Sequence, residues 1–204
     1  MIPGPATAFF RSCRLKPDDI LRHASVRLRQ ENFEHAEGKN LSERRFDAAR
    51  GLFSDGKALR ITDWRDAAEF AEHWDGMVLS FDRPEKVALE ILRLGSGAPH
   101  LMAHVAESLF CGQQRSSELA TRWAGLLMDL YDVCGAESCH YTASYRDTSS
   151  AEWSRVPSGK ESGIALRIVR RGDVEPVPKG YRSIPLVSGG TLITSLPVRP
   201  SPHG

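Results

Sequence analysis

Hydrophobic positions recur at helical spacing through the first two thirds of the chain and alternate with polar ones in the last third. Pro17 with Asp18 and Asp19 reads as a first helical turn, because proline is tolerated there and carboxylates favour the positive helix end. Ile20, Leu21, Ala24 and Leu28 follow on one face. Ser42 can cap a second helix with Phe46, Ala49 and Phe53 along one side, ended by Ser54–Asp55–Gly56. Lys57 to Thr62 alternates as a strand. Asp63 is then an N-cap for a helix whose Trp64, Ala67, Ala71 and Trp74 form a buried stripe, with Asp66, Glu69 and Glu72 on the opposite side.

Asp75–Gly76 turns the chain into a short apolar strand, Met77 to Phe81. Asp82, Pro84 and Glu85 look like the start of another helix, with Val87, Ala88, Ile91 and Leu92 inward. Pro99 opens a helix expected to end at Cys111–Gly112. A longer one runs from Ser116 or Ser117 to about Val133, carries Leu119, Trp123, Leu126, Leu127, Leu130 and Tyr131, and stops at Gly135. His140 to Tyr145, Ile164 to Ile168 and Leu192 to Leu196 alternate as strands between loops rich in Pro, Gly and Ser.

The expected fold is therefore α+β. A helix-rich N-terminal two thirds, with a β-α-β-α stretch over 57–94, precedes a β-rich C-terminal third that forms a mixed or antiparallel sheet. One domain is expected over 17–198, between an N-terminal tail at 1–16 and a C-terminal tail at 199–204. No internal repeat is present.

Composition narrows the function classes. The 204 residues are 41% apolar, enough for one sizeable core, and no run approaches the apolar length of a membrane span. The start has no basic segment ahead of an apolar stretch, so no signal peptide is read and a cytoplasmic location is expected. Four cysteines are too few for a disulfide scaffold. With 27 basic and 26 acidic residues the net charge is +1, which disfavours a dedicated nucleic-acid binder. That balance is uneven along the chain: residues 1–60 carry +4, 61–160 carry −6 and 161–204 carry +3. Arg167, Arg170 and Arg171 form a small basic group without an aromatic platform for bases. An acidic middle can dock a basic protein or a second copy of the chain.

Two clusters carry potential chemistry. On a helix opened by Pro99, His100, His104, Glu107 and Cys111 fall at i, i+4, i+7 and i+11 on one face, and all four side-chain types ligate transition metals. The zincin signature would need Glu after the first His, where Leu101 stands. Cys134-x4-Cys139-His140 lacks a second ligand pair and reads as buried structural thiols, with Cys13 and Cys111 isolated. The Gly-x-Ser-x-Gly elbow is absent, and Pro157–Ser–Gly–Lys–Glu lacks the residues of a phosphate loop. Trp153, in a loop-like stretch, is a candidate interface anchor.

The expected function is accordingly a non-catalytic, cofactor-free protein-binding domain that regulates or neutralises a partner, a toxin-inhibiting immunity protein being one type. Its expected binding residues are Asp66, Glu69, Glu72 and Trp153. The alternative is a metal- or thiol-dependent enzyme built on His100, His104, Glu107 and Cys111.

Overall fold

The computed structural model describes residues 6–83, 86–93, 97–105, 117–142, 164–169, 177, 179–186 and 190–194. Among them the chain is dominated by one antiparallel sheet with three helices. The elements in order are β1 (Ala6–Arg11), α1 (Pro17–Gln30), β2 (Glu34–His35), β3 (Leu41–Asp47), β4 (Leu52–Leu59), α2 (Trp64–Ala71), β5 (Gly76–Arg83), β6 (Val87–Leu92), β7 (His100–Val105), α3 (Ser117–Cys134), β8 (Ser138–Thr142), β9 (Ile164–Val169), β10 (Arg182–Pro185) and β11 (Thr191–Thr194). The strands lie in the order β10-β11-β9-β8-β1-β7-β6-β5-β3-β4, and the short β2 joins β5 beyond the end of β3.

The two sheet faces differ sharply. Two cross-strand rows make the core face: Leu79, Leu89, Ala103 and Ala8, and Met77, Ile91, Leu101, Phe10 and Cys139. All nine residues are at most 2% exposed. Against them pack Ile20, Leu21, Ala24 and Leu28 of α1, Ala67 and Ala71 of α2, and Leu126, Leu127 and Leu130 of α3. Helix α1 contacts both other helices. It is tied to α3 by Arg27, which bonds Asp129 at 2.7 Å, and by Glu31, which pairs with Arg122 at 3.0 Å.

This architecture corrects the helix-rich reading of the first two thirds. The expected helix through Phe46, Ala49 and Phe53 is the β3–β4 hairpin, in which Phe46 and Phe53 are direct cross-strand partners with ring centroids 5.0 Å apart. The expected helix at 82–92 is β6, and the one opened by Pro99 begins with β7. The β-α-β-α stretch is instead the end of β4, then α2, then the antiparallel meander β5–β6–β7; α2 carries the chain from β4 past β3 to β5, and β4 and β5 run parallel to each other with β3 between them.

The cause lies in ambiguous patterns. Val87-Ala-Leu-Glu-Ile-Leu92 is buried or nearly so on both faces, and a continuous apolar run has no period to report. In β7 the core side is Leu101 and Ala103, and the other side is His100, Met102 and His104. A spacing of four residues is shared by the helical and the strand period, so it cannot separate them. Ala6–Arg11, read as part of a tail, is an interior strand between β7 and β8 with Phe10 fully buried. Helices α1, α2 and α3 stand where their caps and stripes place them, and Gly135 ends α3 with a left-handed φ of 60°.

Candidate functional site

The sheet face away from the helices carries a line of polar side chains. Thr7 Oγ1 lies 3.0 Å from His104 Nδ1, and His104 Nε2 lies 3.0 Å from Glu90 Oε2. Arg44 Nε donates to Glu90 Oε1 at 2.8 Å, and its terminal nitrogen pairs with Asp55. The line runs from β1 over β7 and β6, passes across β5 above Gly76, and reaches the β3–β4 hairpin. Glu90 is only 8% exposed. Burial by itself would raise its carboxyl, but the His104 hydrogen bond and the Arg44 charge prevail and hold it below its ordinary range. An ionised carboxylate only accepts, so Nε2 of His104 carries the proton in that contact.

His100 sits at the other end of β7. Its Nδ1 accepts from the Ser12 amide at 3.1 Å, and its ring stacks on Phe9 with centroids 6.0 Å apart. Burial first, then the charge of Arg11, lowers its pKa. On a strand four residues span about 13 Å, against about 6 Å along a helix. His100 and His104 therefore do not converge on one ion, with Met102 buried between them. Among the described residues no group of three or more His, Cys, Asp or Glu side chains is placed to hold a metal. Glu107 and Cys111 lie outside the described residues, as does Trp153.

The thiols sit inside the protein. Cys13, Cys134 and Cys139 are buried and unbridged. A hydrogen bond to Cys13 and then burial raise Cys134, and burial raises Cys139. Both stay protonated, which is the unreactive form.

Helix α2 presents the acidic surface expected from its sequence. Asp63 accepts from the Arg65 amide at 3.0 Å, and Asp66 accepts from the amides of Thr62 and Asp63 at 3.1 and 3.2 Å, which closes a capping box. These backbone bonds, above all, depress both carboxyls. Asp66 is therefore occupied in holding the helix start. Glu69 and Glu72 are exposed and form no ion pair among the described residues. Ala67 and Ala71 anchor the opposite side, while Trp64, Phe70 and Trp74 pack at its margin, the last two stacked 4.7 Å apart.

Sequence reasoning missed the polar line because Arg44, Glu90 and Thr7 become neighbours only through strand pairing. The one available signal was Glu90 within the apolar β6 run, a charged residue that burial would otherwise forbid. No helix among the described residues is long and apolar enough to cross a membrane.

No family model matches the chain. No curated protein matches it either. Among solved structures the chain is similar to Pseudomonas aeruginosa T6SS protein PA0821, with 12% identity and a TM-score of 0.46. The match covers 94% of this chain and 64% of that protein, so the chain spans less than two thirds of its length.

Proposed function

We propose that the chain is a non-catalytic protein-binding domain that regulates or neutralises a partner protein of basic character, as a toxin-inhibiting immunity protein does. The observation that carries the proposal is the pair of exposed carboxylates, Glu69 and Glu72, on the outer face of a helix held by its own capping box and by buried alanines. Ion pairs at the rim of such an interface steer association, and a rigid support lowers the entropy lost on docking. Asp66 adds negative potential to this surface while its oxygens stay engaged with the backbone.

Two of the features on which an enzyme reading would rest, His104 and the described thiols, fit the same reading. In the described part of the chain, the imidazole of His104 and the carboxylate of Glu90 are spent on each other and on Thr7 and Arg44, and the thiols are buried. A nucleophile or general base needs an open approach to the reacting atom.

The test is affinity capture from the native host with the wild-type chain and with E69K/E72K, each checked for folding by circular dichroism. The proposal expects a stoichiometric partner with the wild type and loss of most of it with the charge-reversed variant. Equal recovery by both variants, or no stoichiometric partner together with a monomer by light scattering, contradicts it.

A further inference from the structure

Strand β2 is two residues long: Glu34 and His35 pair with β5, and the register shifts between them. A left-handed residue stands on either side, Asn32 with a φ of 64° and Gly38 with a φ of 82°. The Ala36 amide extends the short ladder by donating to the Ser80 carbonyl at 3.0 Å. The His35 side chain adds to this attachment. Its ring stacks on the buried Phe81 with centroids 4.7 Å apart, and both ring nitrogens are shut off from water with no hydrogen-bond partner among the described residues. A neutral imidazole leaves one donor and one acceptor unmet there. An imidazolium would leave two donors and a full charge unmet, at a far higher cost.

The charged groups around the ring are Arg29 of α1 and Asp63 at the head of α2, joined to each other at 3.5 Å. Burial first, then Arg29, disfavours the cation, and Asp63 offsets them only in part. The segment is also connected to α2, through the buried Asn40. The side-chain amide of Asn40 donates to the Ala36 carbonyl at 3.1 Å and to the Ile61 carbonyl at 2.9 Å, and its side-chain oxygen accepts from the Ile61 amide at 2.9 Å. Its backbone carbonyl accepts from the Ser80 amide of β5 at 2.8 Å. Ile61 leads through Thr62 into Asp63, the cap that starts α2. One buried side chain therefore fixes both the end of β2 and the entry to α2.

We propose that His35 is a proton-operated latch on the α2 surface. Acid charges the ring, the segment between Asn32 and Gly38 parts from β5, and Asn40, having lost its Ala36 acceptor, loosens the entry to α2. The neutral ring keeps the latch shut. The consequence for binding rests on the reading of α2 as the partner-binding surface. With the latch open, the helix that carries Glu69 and Glu72 is no longer held at its start, docking costs more ordering, and the partner is released in mild acid.

The experiment follows amide hydrogen exchange in the full chain by NMR at about pH 7 and about pH 5, with each rate corrected for the intrinsic pH dependence of exchange. In the wild type, protection at the amides of Ala36, Ser80 and Ile61 should fall about tenfold or more between the two conditions. At the lower pH, Met77 and Leu89 in the middle of the sheet should remain at least about tenfold better protected than these three, which marks the opening as local. H35F keeps the stack and takes no proton, so its three amides should change by less than about twofold. Unchanged protection of the three amides in the wild type, an equal fall in H35F, or protection no weaker than that of Met77 and Leu89 at the lower pH overturns the proposal. The wild-type profile decides this even where H35F does not fold. A failure of the α2 surface shows separately, in a partner that binds E69K/E72K as it binds the wild type.

Discussion

Glu90 and His104 are diagonal rather than direct partners: Glu90 stands opposite Met102 and His104 opposite Ala88, yet their side chains meet at 3.0 Å. The diagonal leaves the second carboxylate oxygen of Glu90 free to accept from Arg44, whose side chain reaches over β5. Five strands are joined by this line of side chains in addition to their backbone ladders. The pairing belongs to stability, since each member faces another member of the chain.

Replacing Glu90 by Leu leaves Arg44 and His104 without their shared acceptor. Urea unfolding at neutral pH should show a loss of about 3 kcal/mol for E90L, the usual cost of breaking a largely buried pair from one side. The double variant R44M/E90L should recover part of that loss, because it removes the stranded charge as well. Additive losses from R44M and E90L would show that the two side chains do not interact.

Acid should act on the same residue. The Glu90 carboxyl is held below its ordinary value in the folded protein, so its contribution is present above the unfolded carboxylate pKa of about 4.3. That contribution is lost as pH falls through the lower folded value. Urea midpoints measured from pH 5 downwards should fall more steeply for the wild type than for E90L.

His35 predicts a separate transition at higher pH. Its ring stacks on Phe81 with centroids 4.7 Å apart, and both ring nitrogens are buried without a hydrogen-bond partner among the described residues. Burial first, then the Arg29 charge, lowers its pKa. The unfolded chain therefore binds a proton that the folded one resists, and stability should decline as pH falls below about 6.5. His100 contributes with the same sign. H35F should keep the stack and flatten part of the slope between about pH 7 and 5. An unchanged slope would place the transition elsewhere.

The helices were legible because their signals are local and redundant. Asp63 caps α2 three residues before Asp66 returns the bond, and Pro17 with two aspartates opens α1. The middle strands were not, because β6 is apolar on both faces and β7 places its histidines at a spacing common to both periods. Strand β1 was hidden by its brevity and by prolines ahead of it, and its place in the interior depends on β7 and β8, about 90 and 130 residues away. For the candidate surface, Glu69 and Glu72 could be placed from helical period alone. That Asp66 is engaged could be foreseen only through its capping position.

Two glycines should respond to alanine in opposite directions. A Cβ at Gly125 in α3 meets nothing within 4 Å among the described residues, so G125A should stabilise by about 0.5–1 kcal/mol through helix propensity. A Cβ at Gly76 would lie 2.5 Å from Leu92 Cδ2 and 2.7 Å from the Ile91 carbonyl, backbone that cannot easily move. G76A should cost about 2 kcal/mol or more. Thermal unfolding of both variants beside the wild type checks the pair.

The Ser25 hydroxyl is buried in α1 with no hydrogen-bond partner among the described residues. S25A removes that unsatisfied group at little loss of volume, so the variant should equal or exceed the wild type by about 1 kcal/mol in denaturant unfolding. A loss of similar size would mean that the hydroxyl has a partner.

Binding of the captured partner to the wild type and to E69K/E72K, titrated side by side at low and moderate salt, bears most directly on what this protein does. Charge reversal at two rim positions should weaken the complex at least tenfold at low salt, mostly through slower association, and the gap should narrow as salt rises. Identical affinities and identical salt dependence for the two proteins would place the partner on another face and contradict the acidic α2 surface as the binding site.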